Sequence, residues 1–238
     1  MRVLRQQSQL VSKQGTVVTI GNFEGLHLGH QSLLEKLVDK GRKEGLPSVL
    51  VTFHPSPKEY FSKTGEIFRL MPLKDKLKRI SRTGVDFVYV LPFNEAVARM
   101  DYRKFVEVYL HHTFQCRHLF IGDDFHFGNQ RQGHAESLQA LSDHYGFSVH
   151  VIPPVSLNGE RISSSLLREK CALGKMDEVE KMLGRPYQFE ARVQKGEQKA
   201  RLLGFPTANL RLPKIFMPRE GVYHVSVPLE KTYHGIAR

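Results

Sequence analysis

Short apolar runs alternate with helix-like segments over the first two thirds of the chain. The apolar runs are rich in β-branched residues, which is typical of strands buried on both faces of a parallel sheet. They cover residues 16–20, 48–53, 87–91, 118–121 and 148–152. The segments with helical spacing cover residues 28–42, 73–81, 102–111 and 135–145. This alternation predicts an α/β fold with a Rossmann-like, doubly wound parallel sheet.

Two other stretches have a different pattern. Proline-rich residues 54–72 predict irregular structure. After residue 184, short β-type runs at 189–193, 208–212 and 222–227 are separated by Gly and Pro, which predicts a partial antiparallel β-barrel. We therefore expect two domains, 1–184 and 185–238. The second has few residues for a core, so we expect an exposed strand edge that could pair with another copy of the chain.

Composition and charge narrow the class of protein. The 238 residues are 40% hydrophobic and 25% charged, which excludes collagen-like and wholly disordered chains. The net charge of +11 favours anionic partners, but there is no polybasic run or zinc-ligand spacing, so we do not expect nucleic acid as a partner. Apolar runs are too short to span a bilayer, and we expect no secretory signal. Two cysteines, Cys116 and Cys171, form no disulfide framework, and we expect a cytoplasmic protein.

The first candidate site follows the first predicted strand, in the segment GNFEGLHLGH (residues 21–30). A glycine-rich turn before a helix offers free N–H groups and a partial positive charge to a phosphate. His27 and His30 are three residues apart, so they lie on one helical face, and Gly29 removes a side chain beside them. A pair used only for packing and a metal site are the alternatives, but no further metal ligands are evident.

Two more segments carry candidate chemistry. Ser163, Ser164 and Ser165 can cap a helix whose N-terminus attracts anions, with Arg168 one turn inside; a capped surface helix is the alternative. In GDDFHFG (122–128), two carboxylates at a strand end could hold a ribose, an adenine amine or Mg²⁺. The aromatic residues of this segment could flank a planar ring or belong to the core.

Six segments, in this order, resemble motifs of the bacterial FAD synthetases, which join an N-terminal FMN adenylyltransferase to a C-terminal riboflavin kinase. They are GNFEGLHLGH (21–30), VTFHPSP (51–57), GDDFHFG (122–128), ISSSLLR (162–168), LGRPY (183–187) and GFPTAN (204–209). The resemblance covers nearly the whole chain. It implies a nucleotidyltransferase fold and the reaction of FMN with ATP to give FAD and pyrophosphate, with Mg²⁺ accompanying ATP.

The resemblance also implies roles for individual residues. For catalysis and for ATP binding the implied residues are His27, His30, Arg168, Gly21, Phe23, Gly29, Ser163, Ser164 and Ser165. For flavin binding they are Asn22, Phe53, Pro55, Asp124, Phe125 and Phe127. For Mg-ATP in the kinase-like segment they are Thr207 and Asn209. No dedicated metal cage is expected.

The chain departs from the family motifs at several positions. Glu24 stands where the family has Asp, Ser56 where it has His, and Ala200 where it has Gly. Because the sequence stops at Arg238, before an expected catalytic carboxylate, we expect FMN adenylyltransferase activity without riboflavin kinase activity. Two alternatives remain open: a nucleotidyltransferase for another phosphorylated acceptor, and a non-catalytic regulator that binds flavin or RNA.

Overall fold

A six-stranded parallel sheet forms the centre of the molecule. The computed structural model describes residues 1–5, 12, 14–195 and 207–238. The strands are β1 (Arg2–Leu4), β2 (Thr16–Ile20), β3 (Ser48–Phe53), β4 (Phe87–Leu91), β5 (Cys116–Gly122) and β6 (Ser148–Ile152). Their spatial order is β1-β4-β3-β2-β5-β6, and every pairing is parallel. The predicted α/β fold is confirmed, with β1 as an additional edge strand.

Helices cover both faces of this sheet. They are α1 (Leu28–Glu44), α2 (Pro57–Phe61), α3 (Leu73–Ile80), α4 (Glu95–Ala98), α5 (Tyr102–Phe105), α6 (Ala135–Tyr145), α7 (Ser164–Ala172) and α8 (Met176–Leu183). No helix in the described part of the chain is both long and apolar enough to cross a membrane. The prediction that 54–72 is irregular was wrong at α2, because Ser56 caps a short helix with Pro57 in its first turn.

The predicted helix over 102–111 changes its hydrogen bonding midway. After α5 the chain continues as a π-helix over Val106–Thr113, and a short 3₁₀ turn covers Asn129–Arg131 later in the chain. The expected cap is present, since the Asp101 carboxylate accepts a hydrogen bond from the Arg103 N–H at 2.8 Å.

One hydrophobic cluster lies on each face of the sheet. Val18 and Val49 belong to one cluster, and Val17 and Leu50 to the other, as alternating strand residues should.

Three small antiparallel sheets follow β6 in the described residues. A two-residue hairpin joins β7 (Ser156–Leu157) to β8 (Glu160–Arg161), β9 (Arg192–Gln194) pairs with β10 (Asn209–Arg211), and β11 (Tyr223–Pro228) pairs with β12 (Thr232–Ala237). The last two pairs confirm antiparallel structure after residue 184. The strand predicted at 189–193 begins at Arg192 instead, and β12 was not predicted.

The C-terminal residues contact the first part of the chain. The Tyr187 hydroxyl donates to the carbonyl oxygens of Leu70 at 3.0 Å and Phe216 at 2.8 Å, and the Phe216 N–H donates to the Arg69 carbonyl at 2.7 Å. Burial raises the pKa of Tyr187, so its hydroxyl remains a donor. The boundary between domains at 184 and 185 stays a prediction.

Candidate active site

The paired histidines stand where strand β2 leads into helix α1. His27 is the N-cap of α1, and its Nδ1 accepts a hydrogen bond from the His30 N–H at 3.4 Å. The two imidazole rings stack, with centroids 3.7 Å apart and planes inclined by 19°. The Phe23 ring lies 5.0 Å from the His30 ring. Strand, turn and helix N-terminus therefore bring both imidazoles to the carboxyl end of the central strand, where ligands bind in folds of this type.

Gly29 keeps space for the His27 ring. A Cβ atom at Gly29 would lie 3.2 Å from Nδ1 and 3.3 Å from Cε1 of His27. These distances are shorter than ordinary van der Waals contacts, so a larger residue would push the ring away. The absence of a side chain at Gly29 thus leaves room for the His27 ring.

Both imidazoles are neutral at neutral pH. Burial, with Arg185 and Arg161 nearby, lowers the pKa of His27 to about 4. Burial, together with His27 and Lys76, holds the pKa of His30 well below its ordinary value. Within the described part of the chain, His30 Nδ1 is buried without a hydrogen-bond partner. Because nearby cations disfavour a further positive charge, this site would accept an anion more readily than a cation.

The turn before His27 has an unusual backbone. Phe23, Gly25 and Leu26 have φ angles of 49°, 72° and 45°, in the left-handed region. Non-glycine residues seldom adopt this conformation, and it persists only where surrounding contacts impose it. Those contacts come from distant elements: the carbonyl of Asn22 accepts from Lys76 Nζ at 2.7 Å, and the carbonyl of Glu24 accepts from Ser164 Oγ at 3.1 Å.

A buried ion pair joins this turn to helix α3. Glu24 Oε1 pairs with Lys76 Nζ, and Glu24 Oε2 accepts from the Leu70 N–H at 2.9 Å. The Glu24 and Lys76 side chains are 10% and 4% exposed. Glu24 was identified from the sequence only as a departure from the family motif. Lys76 was not identified at all, because its partners lie more than fifty positions away.

The serines at the start of α7 reach the same turn. Ser163 is the N-cap, and its hydroxyl oxygen accepts from the Leu166 N–H at 3.1 Å. Ser164 bonds to the Glu24 carbonyl, as described above. Arg168 donates to Ser165 Oγ and to the Phe68 carbonyl, both at 3.3 Å. Ser164 thus links α7 to the turn over residues 22–26 that precedes His27, which we call the histidine turn. Arg168 points to the loop before α3.

Carboxylates and aromatic rings meet at the end of β5. Arg161, which sequence reasoning did not single out, forms two hydrogen bonds with Asp123 at 2.6 and 2.8 Å and an ion pair with Asp124 at 3.1 Å. Phe125 and Phe127 stack with centroids 5.4 Å apart. Phe127 is buried in the core and Phe125 is partly exposed, so Phe125 is better placed to contact a ligand.

A second aromatic group lies after β3. Phe53 is partly exposed and meets the Phe93 ring edge-on at 5.7 Å. Tyr60 and Phe61 pack edge-on against the same Phe93 ring at 5.3 and 5.8 Å. Sequence reasoning named only Phe53, because the other three rings fall outside the motifs. Pro55, also named, is exposed and follows a cis peptide bond from His54.

Ser56 has a structural role at this position. Its hydroxyl accepts from the Glu59 N–H at 3.4 Å, and Glu59 Oε2 accepts from the Ser56 N–H at 3.0 Å. This reciprocal capping box begins α2. A small pocket beside it is lined by Phe53, His54, Arg69 and Lys76 among others. The replacement of His by Ser therefore keeps a polar residue that orders the proline-rich loop.

The kinase-like residues lie away from these contacts in the chain. Thr207 is exposed before β10, and Asn209 begins β10, opposite Gln194. Residues 198–201 and 204–206 lie outside the described part of the chain. Among described residues, no group of three or more His, Cys, Asp or Glu side chains could hold a metal ion.

Known proteins resemble this chain over nearly its full length. Residues 9–166 match the model of the FAD synthetase family, and residues 183–238 match that of the riboflavin kinase family. A bifunctional riboflavin kinase/FMN adenylyltransferase from Haemophilus influenzae is 40% identical over 226 residues, which cover 94% of this chain and 73% of that protein. A protein of the same description from Escherichia coli strain K12 is 37% identical, covering 90% of this chain and 69% of its own length.

A solved structure is also similar. The crystal structure of a macrolide-efflux protein from Streptococcus pneumoniae superposes with a TM-score of 0.88 and 29% sequence identity, covering 98% of this chain and 77% of that chain. The overall arrangement of strands and helices is therefore shared with a solved protein. The predicted loss of riboflavin kinase activity is not confirmed, since residues 183–238 match the riboflavin kinase model.

Proposed function

The chain belongs to the FAD synthetase family, and from this membership we propose that it transfers the adenylyl group of ATP to FMN. It is a nucleotidyltransferase, with FMN as acceptor and FAD and pyrophosphate as products. An oxygen of the FMN phosphate forms a bond to the α-phosphorus, and the bond from that phosphorus to the bridging oxygen of pyrophosphate breaks. The observation that supports this most strongly is the stacked His27–His30 pair at the N-terminus of α1.

The histidine pair is proposed to bind the ATP phosphates. Each neutral imidazole offers one N–H donor, and the free amides of the first turn of α1 offer more. As negative charge builds on the phosphates, it favours protonation of His27 and His30, opposing the effect of burial. Hydrogen bonds that strengthen in this way act mainly in the transition state.

Helix α7 is proposed to hold the departing pyrophosphate. Arg168 uses two of its five N–H groups on Ser165 and Phe68, which leaves three for phosphate oxygens. The Ser163 hydroxyl accepts one hydrogen bond as a cap and can still donate its proton. The bond from Ser164 to the turn keeps α7 close to the histidines, so one triphosphate can contact both.

The flavin is proposed to lie among the aromatic side chains after β3 and β5. Phe53 and Phe125 offer partly exposed rings that suit a flat, apolar ring system. Asn22 is exposed at the end of β2, and Asp124 would need to leave Arg161 to bind a ligand. Mg²⁺ is proposed to arrive with ATP, where it would reduce the charge repulsion between FMN and the phosphates.

The direct test is product formation from purified protein. The chain is incubated with FMN, ATP and Mg²⁺, and FAD and pyrophosphate are quantified. FAD formation is expected. Pyrophosphate release with another phosphorylated acceptor but not with FMN would support the alternative transferase. Flavin binding without pyrophosphate release would support the non-catalytic regulator instead.

Riboflavin kinase activity is a second candidate function, favoured by the match of residues 183–238. Thr207 and Asn209 are its proposed Mg-ATP contacts. Replacing FMN with riboflavin in the same assay decides between this activity and its predicted loss. FMN or FAD made from riboflavin would contradict the predicted loss, and FAD made only from FMN would support it.

A further inference from the structure

Arg185 follows helix α8 and contacts the turn that precedes His27. Its Nη2 donates to the Gly25 carbonyl at 2.5 Å, and its Nη1 donates to the carbonyls of Leu26 at 3.2 Å and Leu183 at 3.0 Å. Burial, with Arg79 nearby, lowers the pKa of Arg185 to about 10, so the guanidinium remains charged at neutral pH. One planar group thus joins the end of α8 to two consecutive residues of the turn.

These contacts include the carbonyl of Leu26, a non-glycine residue in the left-handed region. Gly25 and Leu26 both have positive φ angles, and Leu26 immediately precedes the N-cap His27. The Gln31 side chain adds a second link, because its Nε2 donates to the carbonyls of Leu26 at 2.9 Å and Leu183 at 2.8 Å. A rotation of the Leu26 peptide would break bonds to two side chains and would move the histidine that follows.

We infer that Arg185 is a positioning residue for adenylyl transfer, which holds the 25–26 turn so that His27 and His30 meet the phosphates. This inference rests on the proposed function. Arg185 lies outside the residues that match the FAD synthetase model and within residues 183–238, which match the riboflavin kinase model. The adenylyl-transfer site is therefore completed by a residue that belongs, by sequence match, to the other activity.

The test compares Arg185→Ala and Arg185→Lys with Arg192→Ala as a control. Arg192 is an exposed arginine in the same C-terminal segment. Hydrogen exchange is measured on peptides covering residues 21–30, and kcat and KM for ATP and FMN are measured on the full chain. Because small displacements of reacting groups cost up to about 10²-fold in rate, we expect Arg185→Ala to lower kcat by about 10- to 100-fold. Exchange in residues 21–30 should rise more than exchange in the rest of the chain.

The lysine variant separates positioning from general stability. A single ammonium keeps the charge but cannot bond both carbonyls in a planar fork, so we expect partial recovery of kcat and of exchange protection. Unchanged kcat in Arg185→Ala would overturn the inference. A loss of kcat without faster exchange in residues 21–30 would also overturn it, and so would faster exchange spread over the whole chain. If Arg185→Ala does not fold, Arg185→Lys against the wild type provides the same comparison. A wild-type chain that makes no FAD would contradict the proposed function, whereas the exchange data would still decide whether Arg185 holds the turn.

Discussion

Removal of either partner from the Glu24–Lys76 ion pair should destabilise the protein strongly. Both side chains are nearly inaccessible to solvent, and both also bond to backbone: Glu24 to the Leu70 N–H and Lys76 to the Asn22 carbonyl. A single substitution, Glu24→Gln or Lys76→Met, leaves a buried charge without its partner. Such changes cost about 3–5 kcal/mol, a large part of the roughly 5–15 kcal/mol that stabilises a folded domain.

The double substitution provides the decisive comparison. Urea unfolding of both single variants and of Glu24→Gln/Lys76→Met gives a double-mutant cycle, with the free energy of unfolding taken from each transition. We expect the double variant to lose less stability than the two single variants summed, since no uncompensated charge remains. Single variants that each lose less than about 1 kcal/mol, the cost typical of an exposed pair, would refute the reasoning.

Glu24→Asp tests why this chain has the longer acid. The shorter side chain cannot keep both the Leu70 N–H and Lys76 in reach without movement of the turn. Leaving one buried group unsatisfied costs about 1–3 kcal/mol. We therefore expect a lower urea midpoint and a lower kcat for FAD formation. An aspartate variant as stable and active as the wild type would show that the turn adapts freely.

Three further predictions concern the histidine pair. His27→Ala and His30→Ala should each lower kcat for FAD formation by about 10²-fold while circular dichroism remains that of the folded protein; unchanged rates would remove the pair from the mechanism. Gly29→Ala should lower kcat because its Cβ meets the His27 ring at 3.2 Å. It should not lower the melting temperature, since alanine favours a helix by about 1 kcal/mol over glycine. Equal rates in the variant and the wild type would contradict the steric argument. Because the pKa of His27 is lowered from 6.5 to about 4, the unfolded chain binds a proton between these values that the folded chain does not. The free energy of unfolding should therefore fall as pH drops from 6.5 towards 4, by roughly 3 kcal/mol from this residue. A His27→Asn variant keeps a capping side chain, and its free energy of unfolding in urea should depend less on pH. An equal dependence on pH in both proteins would exclude His27 as the cause.

The local sequence pattern predicted the strands well because short runs of β-branched and apolar residues mark strands that are buried in a sheet. Thr16–Ile20, Ser48–Phe53 and Phe87–Leu91 are uncharged runs rich in β-branched residues, and the structure gives them the predicted bounds. Strand β1 was missed because its three residues, Arg2–Leu4, are too few for a pattern, and its structure depends on pairing with β4. Helix α2 was missed because prolines suggested a loop, although Pro57 lies at a position where a helix tolerates it.

The candidate site was only partly predictable, for a related reason. The histidines and serines could be named because each lies next to a turn or cap that the sequence reveals. Lys76 and Arg185 have no such local sign, and their roles depend on contacts with residues 22–26, far away in sequence. The signal nearest to Arg185 was its place in the LGRPY segment, which indicated a domain junction rather than a contact with the turn before His27.

The backbone of the histidine turn links these observations. Donors from different elements hold alternate carbonyls of this turn: Lys76 and Thr52 bond to Asn22, Ser164 to Glu24, and Arg185 and Gln31 to Leu26. Positive φ angles are costly at the non-glycine residues Phe23 and Leu26, so the conformation of the turn depends on these bonds. The position of His27 is therefore a property of the whole fold. Substitution of the side chains in α3, in α7 or after α8 that bond to the turn should for this reason lower catalysis.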